Sequence, residues 1–384
     1  MEAAVIVDLP STTTGDVARR LVALRADVGS MALSRVLTLV VVVDEQNAEA
    51  AIDTANDASH QHPCRIIVVV TANRRGAARL DAQIRLGGDA GASEVVVFRL
   101  YGGLAAHGRS VVTPLLLADS PIVAWWPVGG PAEPATDPIG AMAQRRMTDA
   151  ARASGGPRKV LSRLAAAYQE GDTDLSWARI TLWRGLLAAT LDQGPFEPVT
   201  AVTVTGAPDS PSADLLAAWL AARLRCPVTL ARSPHRTGVI SVRLERRSGP
   251  IDLVRPQDGD TVTLSQPGQP QRTIALPHRS DAECLADELR RLDPDEVYQE
   301  ALTQGMALIS TARTRPAREA VRAGAAPDEA ESARTARRLQ REAKKLASAA
   351  VADAPPPSEE GDEATVRRAS RSRLAEAREK RSGS

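Results

Sequence analysis

The sequence predicts an α/β protein: two α/β domains with mixed sheets, each a βαβ unit plus antiparallel strands, followed by a disordered tail. Three observations carry this reading. The β-branched runs "SRVLTLVVVVDE" and "CRIIVVVTA" flank a helical segment, the pattern of strands buried on both faces and joined by a right-handed crossover. A second strand, helix, strand order starts at "EPVTAVTVTGAP" and leads into short runs separated by turn residues. Beyond residue 310 large apolar residues almost disappear, so that stretch cannot offset its chain entropy by burial. The expected boundaries are 1–150 for the N-terminal domain, 151–310 for a helical connection and the C-terminal domain, and 311–384 for the tail.

Taken in order, "TTTGDVARRLVALRA" carries Val17, Leu21 and Leu24 at helical spacing after a Thr-rich cap. Between the two buried strands, "EQNAEAAIDTANDASHQHP" is helical until Pro63 stops it. "RLDAQIRL" alternates Leu80, Ala82, Ile84 and Leu86 with polar residues. It pairs with "EVVVFRLYG" across the turn "GGDAGAS" as an antiparallel hairpin. "TPLLLADSPIVAWWP" supplies a final strand through Trp125 and Trp126. "DPIGAMAQRRMTDAARA" opens with Asp137 as cap and Pro138 at the first helical position, and a helix is expected there. "LSRLAAAYQE" and "SWARITLWRGLLAATLDQGP" are helical as well, with Trp177, Ile180, Trp183 and Leu187 spaced for packing. In the second half the helix "SADLLAAWLAARLR" precedes the strand "CPVTLAR". The runs "TGVISVRLERR", "IDLVRP", "DTVTLSQP" and "RTIALP" read as a meander, and "DAECLADELRRL" and "PDEVYQEALTQGMALI" close with helices.

Composition narrows the function classes. Hydrophobic residues make up 43% of the chain but aromatics only 3%, so aliphatic side chains must fill the core. A net charge of +1 gives no global pull toward nucleic acid or an anionic membrane, and the basic residues of the tail are interleaved with acidic ones. No segment has the uninterrupted apolar length of a membrane span, and a cytoplasmic protein is expected. Cys64, Cys226 and Cys284 are far apart without a CxxC pair, which points to free thiols rather than a disulfide framework or zinc site.

Chemical motifs are mostly absent. "DEQNAEA" follows the first buried strand where a dinucleotide fold needs a glycine-rich loop. His60 and His62 do not share a helix face, and His107, His235 and His278 stand alone. The turn "GGDAGAS" could cradle an anion through its amides, which supports one alternative, a sugar-phosphate or nucleotide-binding enzyme or sensor. No constellation supports catalysis, so no enzyme, cofactor or metal is expected.

The segments "HPCRIIVVV", "LDAQIRLGGDAGASEVVVFRLYG", "VVTPLLLADSPIVAWWPVGGP" and "DPIGAMAQRRMTDA", in this order, resemble the OpcA family of glucose-6-phosphate dehydrogenase assembly proteins, most closely its actinobacterial form. The resemblance runs from about Val5 to Ile309. It implies a non-catalytic partner of glucose-6-phosphate dehydrogenase that favours the active oligomer and supports the oxidative pentose phosphate pathway. Alternation along a strand sends Trp125 and Trp126 to opposite faces. Either both faces are covered and both indoles are core, or one of them meets a partner. Because Trp and Arg dominate interface energetics, the candidate docking patch comprises Trp125, Trp126, Pro127, Arg145, Arg146 and Asp149.

Overall fold

A computed structural model of the chain describes residues 5–27, 37–86, 94–194, 196–234, 237–256 and 259–311. The expectation for the tail and the turn "GGDAGAS" lie outside the described residues. In chain order the first half comprises β1 (Val5–Leu9), α1 (Thr14–Asp27), β2 (Leu37–Asp44), α2 (Ala48–Ser59), β3 (Cys64–Thr71), β4 (Arg79–Leu86), β5 (Glu94–Tyr101), α3 (Gly108–Val112), β6 (Ile122–Trp125), β7 (Arg145–Thr148), α4 (Pro157–Ala166), β8 (Asp172–Asp174), the single turn α5 (Leu175–Ala178) and α6 (Thr181–Leu191). Then come β9 (Ala201–Gly206), α7 (Pro211–Leu224), β10 (Val228–Arg232), β11 (Val239–Glu245), β12 (Ile251–Val254), β13 (Thr261–Ser265), β14 (Arg272–Ala275), α8 (Asp281–Arg290), α9 (Glu296–Glu300), α10 (Met306–Leu308) and β15 (Ile309–Thr311).

These strands form two mixed sheets, and all described residues belong to one unit, Met1–Thr314. The first sheet runs β1-β4-β5-β3-β2-β6-β7-β8, with β5 through β8 parallel in that order and β4 antiparallel between β5 and β1. The second runs β14-β13-β12-β11-β9-β10-β15, parallel from β9 to β15 and an antiparallel meander from β11 to β14.

Burial follows the sequence pattern. β2 and β3 are almost wholly buried because helices cover both faces, and β4 alternates as its residues do. Leu39, Val41 and Val43 enter one core with α2, α5 and α8, whereas Val40, Ile67 and Val69 enter the other with α1 and α3. A third core joins α4, α6 and α7 to the second sheet and includes Trp177, Ile180, Trp183 and Leu187. Elements from beyond residue 150 complete the first sheet: β8 extends its edge, and α8 contributes Cys284, Leu285 and Leu289 to its core.

One expected element differs. The helix read over "DPIGAMAQRRMTDAARA" is instead a 3₁₀ turn at Gly140–Met142, strand β7, and a second 3₁₀ turn at Ala150–Arg152. Gly140 packs so closely that a Cβ there would lie 1.8 Å from the Pro134 carbonyl oxygen. β7 is drawn into the sheet between β6 and β8, with Arg146 opposite Ala124 on one side and Asp172 on the other. Strands β1, β8 and β15 have no counterpart among the expected elements; each is five residues or fewer and all three lie at sheet edges.

Candidate functional site

At the carboxyl edge of the first sheet the winding reverses. From β2 the chain crosses through α2 to β3 on one side, while β6 adds on the other. Connections diverge at such a switch point and leave a crevice, the usual binding place of open α/β sheets. Here the crevice is a cavity of ≈ 560 Å³ whose lining includes Asp44, Thr71, Arg74, Trp126, Gly129 and Asp137. Asp44 accepts from the Asn47 amide at 3.0 Å, and Asp137 accepts from the Ile139 and Gly140 amides at 2.9 and 3.2 Å. Both carboxylates therefore fix backbone, while Arg74 is an exposed cation on the rim.

The six residues expected to form a docking patch do not converge on this edge: Trp125, Trp126, Pro127 and Asp149 lie at the carboxyl ends of β6 and β7, Arg145 and Arg146 at the amino end of β7, and all six are buried. Trp125 and Trp126, 2% and 3% exposed, enter opposite cores, so the doubly covered alternative describes them and neither indole faces solvent. The chain keeps strand pairing past β6, where the Trp126 amide donates to the Met147 carbonyl at 2.9 Å. The arginines diverge too. Arg145 donates to Glu288 at 2.6 Å and to the Asp293 carbonyl at 2.9 Å. Arg146 donates to Asp172 and to the carbonyls of Ala143 and Glu170. Each guanidinium thus welds β7 to a distant segment, and in the free chain neither is an accessible anchor.

Asp149 belongs to a larger charged spine. Arg179, at the end of α5, donates to both Asp149 oxygens at 2.8 and 2.6 Å and to Asp281, the first residue of α8, at 2.7 Å. Arg152 also pairs with Asp281. Burial works against the Arg179 charge, but the bonds and charges of Asp149 and Asp281 outweigh it and hold its pKa above the ordinary arginine value. Next to this spine Asp174 accepts from Thr148 Oγ1, the Ala150 amide and the Ser176 amide. Burial first, and then the charge of Asp149, push its carboxyl up to about 6. Burial likewise raises Glu288, although Arg145 pulls the other way. Sequence reasoning missed Arg179, Asp281 and Asp174; the signal was "GDTDLS", where Asp174 caps α5 just after the sheet edge.

A second cleft lies where α6 faces the end of α8 and the residues leading into α9. It is a cavity of ≈ 630 Å³, walled by Arg145, Thr181, Arg184, Glu288, Arg291 and Asp295 among other residues. The Arg184 guanidinium carbon sits over the Trp177 ring, 3.7 Å from its centroid, and Trp177 in turn donates its indole N–H to Asp295 at 2.8 Å.

Among the described residues no group of three or more His, Cys, Asp and Glu side chains could hold a metal ion, and no helix is long and apolar enough to cross a membrane. Fold and site define an α/β scaffold whose buried charges tie its own elements together. Residues 55–166 match the model described as the glucose-6-phosphate dehydrogenase subunit N-terminal domain, and residues 170–302 match that of the C-terminal domain. The chain belongs to this family of glucose-6-phosphate dehydrogenase assembly proteins, the OpcA family. No curated protein matches the chain.

Proposed function

We propose that this chain binds glucose-6-phosphate dehydrogenase in the cytoplasm and favours its active oligomer without catalysing a reaction itself. The observation that carries the reading is the match of two consecutive segments, together spanning 55–166 and 170–302, to the two domains of a dehydrogenase subunit family. The switch-point edge supports a docking role. Its loop from Val128 to Asp137 borders two clefts, one lined by exposed Arg74 and buried Trp126 and the other by buried Asp149. On this reading Trp125, Trp126, Pro127 and Asp149 act as positioning residues that hold the docking loop in shape, and Arg145 and Arg146 fix the neighbouring strand β7 in the sheet. Binding shifts the dehydrogenase toward its active assembly only by the difference in affinity between the two states.

The test is size-exclusion chromatography of mixtures with purified dehydrogenase, with activity titrated in parallel. Co-elution and activation that rises to a plateau are expected, and Arg74→Glu, at an exposed position, should weaken both while leaving the melting temperature within about 1–2 °C. Absence of any complex at micromolar concentrations overturns the proposal, and normal binding by Arg74→Glu moves the docking surface away from this edge.

A further inference from the structure

Most arginines of the body that are withdrawn from solvent have a carboxylate against them: Arg145 has Glu288, Arg146 has Asp172, Arg179 has Asp149 and Asp281, and Arg232 has Asp214. Arg184 does not. Among the described residues its one hydrogen bond goes to Thr181 Oγ1 at 3.2 Å, its Nε has no partner, and no carboxylate lies within ion-pair distance. A guanidinium carries five N–H donors in a rigid plane. The cation–π contact with Trp177 restrains the guanidinium, so its free donors are held at the wall of the ≈ 630 Å³ cleft. Such a volume suits a small molecule. A half-buried charge without a counterion is costly unless something supplies one. Burial lowers the Arg184 pKa to about 10 against the opposing charges of Asp295 and Glu288, and the weaker effects of Arg279 and Arg291 add to the lowering, so it stays cationic at neutral pH.

Other groups in the cleft narrow the ligand. Arg291 is exposed on the rim and makes no side-chain ion pair among the described residues, giving a second unmatched cation beside Arg184. Glu288 is taken by Arg145, Asp287 by Arg279 and Arg290, and Asp295 by Trp177 and the Tyr298 amide. Asp293 and Glu296 remain as carboxylates whose side chains accept nothing from the described residues. Two free cations match the roughly −1.5 to −2 charge of a phosphate monoester at neutral pH better than a single carboxylate. Two free carboxylates close by are acceptors for hydroxyl groups. We propose that this cleft binds the phosphate ester of a polyhydroxylated small molecule, the phosphate on Arg184 and Arg291 and the hydroxyls donating to Asp293 and Glu296.

The experiment uses the full chain without the dehydrogenase, so its failure leaves the partner-binding reading untouched. Isothermal titration with glucose 6-phosphate, inorganic phosphate and glucose should give saturable binding of glucose 6-phosphate, weaker binding of phosphate and none of glucose. Loss of a charge-assisted contact should weaken glucose 6-phosphate by at least about tenfold in Arg184→Gln and again in Arg291→Ala, the latter at an exposed position where folding is not at stake. Asp293→Asn together with Glu296→Gln should weaken glucose 6-phosphate but not phosphate. No saturable binding of glucose 6-phosphate, or binding unchanged in Arg291→Ala, overturns the site. Phosphate binding as tightly as glucose 6-phosphate overturns the assignment of the hydroxyl acceptors.

Discussion

Replacing Arg179 with Met tests whether the charged spine holds the first sheet to the helices behind it. The substitution keeps an unbranched stem of similar length but removes three hydrogen bonds at once, two to Asp149 and one to Asp281. Asp149 is 3% exposed and would be left with the Ala151 amide and Arg152 at 3.8 Å, still beside buried Asp174. Stranding a buried charge in this way costs about 3–5 kcal/mol. Unfolding entropy of about 2.1 cal/mol/K per residue over a roughly 300-residue unit is ~0.6 kcal/mol/K, so the melting temperature should fall by about 5–8 °C. Circular dichroism melts of the full chain at pH 7.5 provide the readout. The double variant Arg179→Met with Asp149→Leu should recover at least half of the loss, because the stranded charge is gone. A fall of less than about 2 °C, or a double variant no better than Arg179→Met, would show that the spine is only a solvated surface cluster.

Three further outcomes are expected. Trp125→Ala and Trp126→Ala should each cost ~3–5 kcal/mol in denaturant unfolding, since each indole fills a different core; a variant that melts normally yet fails to bind the dehydrogenase would restore an interface role. Asp174 should make stability fall as pH rises. Its folded carboxyl titrates at about 6 against an ordinary value of 3.8, so the favourable contribution is complete below pH 4 and is lost as pH climbs through 6. The unfolding free energy of Asp174→Asn should therefore gain on that of the unsubstituted chain by roughly 3 kcal/mol between pH 4 and 7.5, and a pH-independent gap refutes this. A fragment of residues 1–150 lacks β8, α5 and α8, so it should show no cooperative melt, and a sharp transition would mean that one face of its sheet needs no cover.

What could be read from the sequence was what local pattern encodes. The unbroken apolar runs of β2 and β3 state that both faces of the sheet are covered, and by the same logic both indoles at the end of β6 have a core to enter. The alternation in β4 and the turn spacing of β11 to β14 are equally local. β7 was not readable, because "RRMT" is buried only by virtue of partners far along the chain. Arg146 finds Asp172 and Arg145 finds Glu288, 26 and 143 residues away. Without those carboxylates in view, two adjacent arginines suit the solvent face of a helix, and the cap pair Asp137 and Pro138 completes that impression.

The same limit governs the reading of function. "RR" at 145–146 and the single Arg184 within "TLWRGLL" carry identical chemistry in the sequence, and interface statistics draw the eye to the pair beside the tryptophans. Folding reverses their standing. A charge matched by a carboxylate from its own chain has used its donors to set the fold, and truncating it reports on stability. A guanidinium that folding fixes in place on an aromatic ring, yet leaves without a counterion, still has its donors to give. That difference is a property of distances between segments, so the residue to test for binding is the one whose neighbours leave it unmatched.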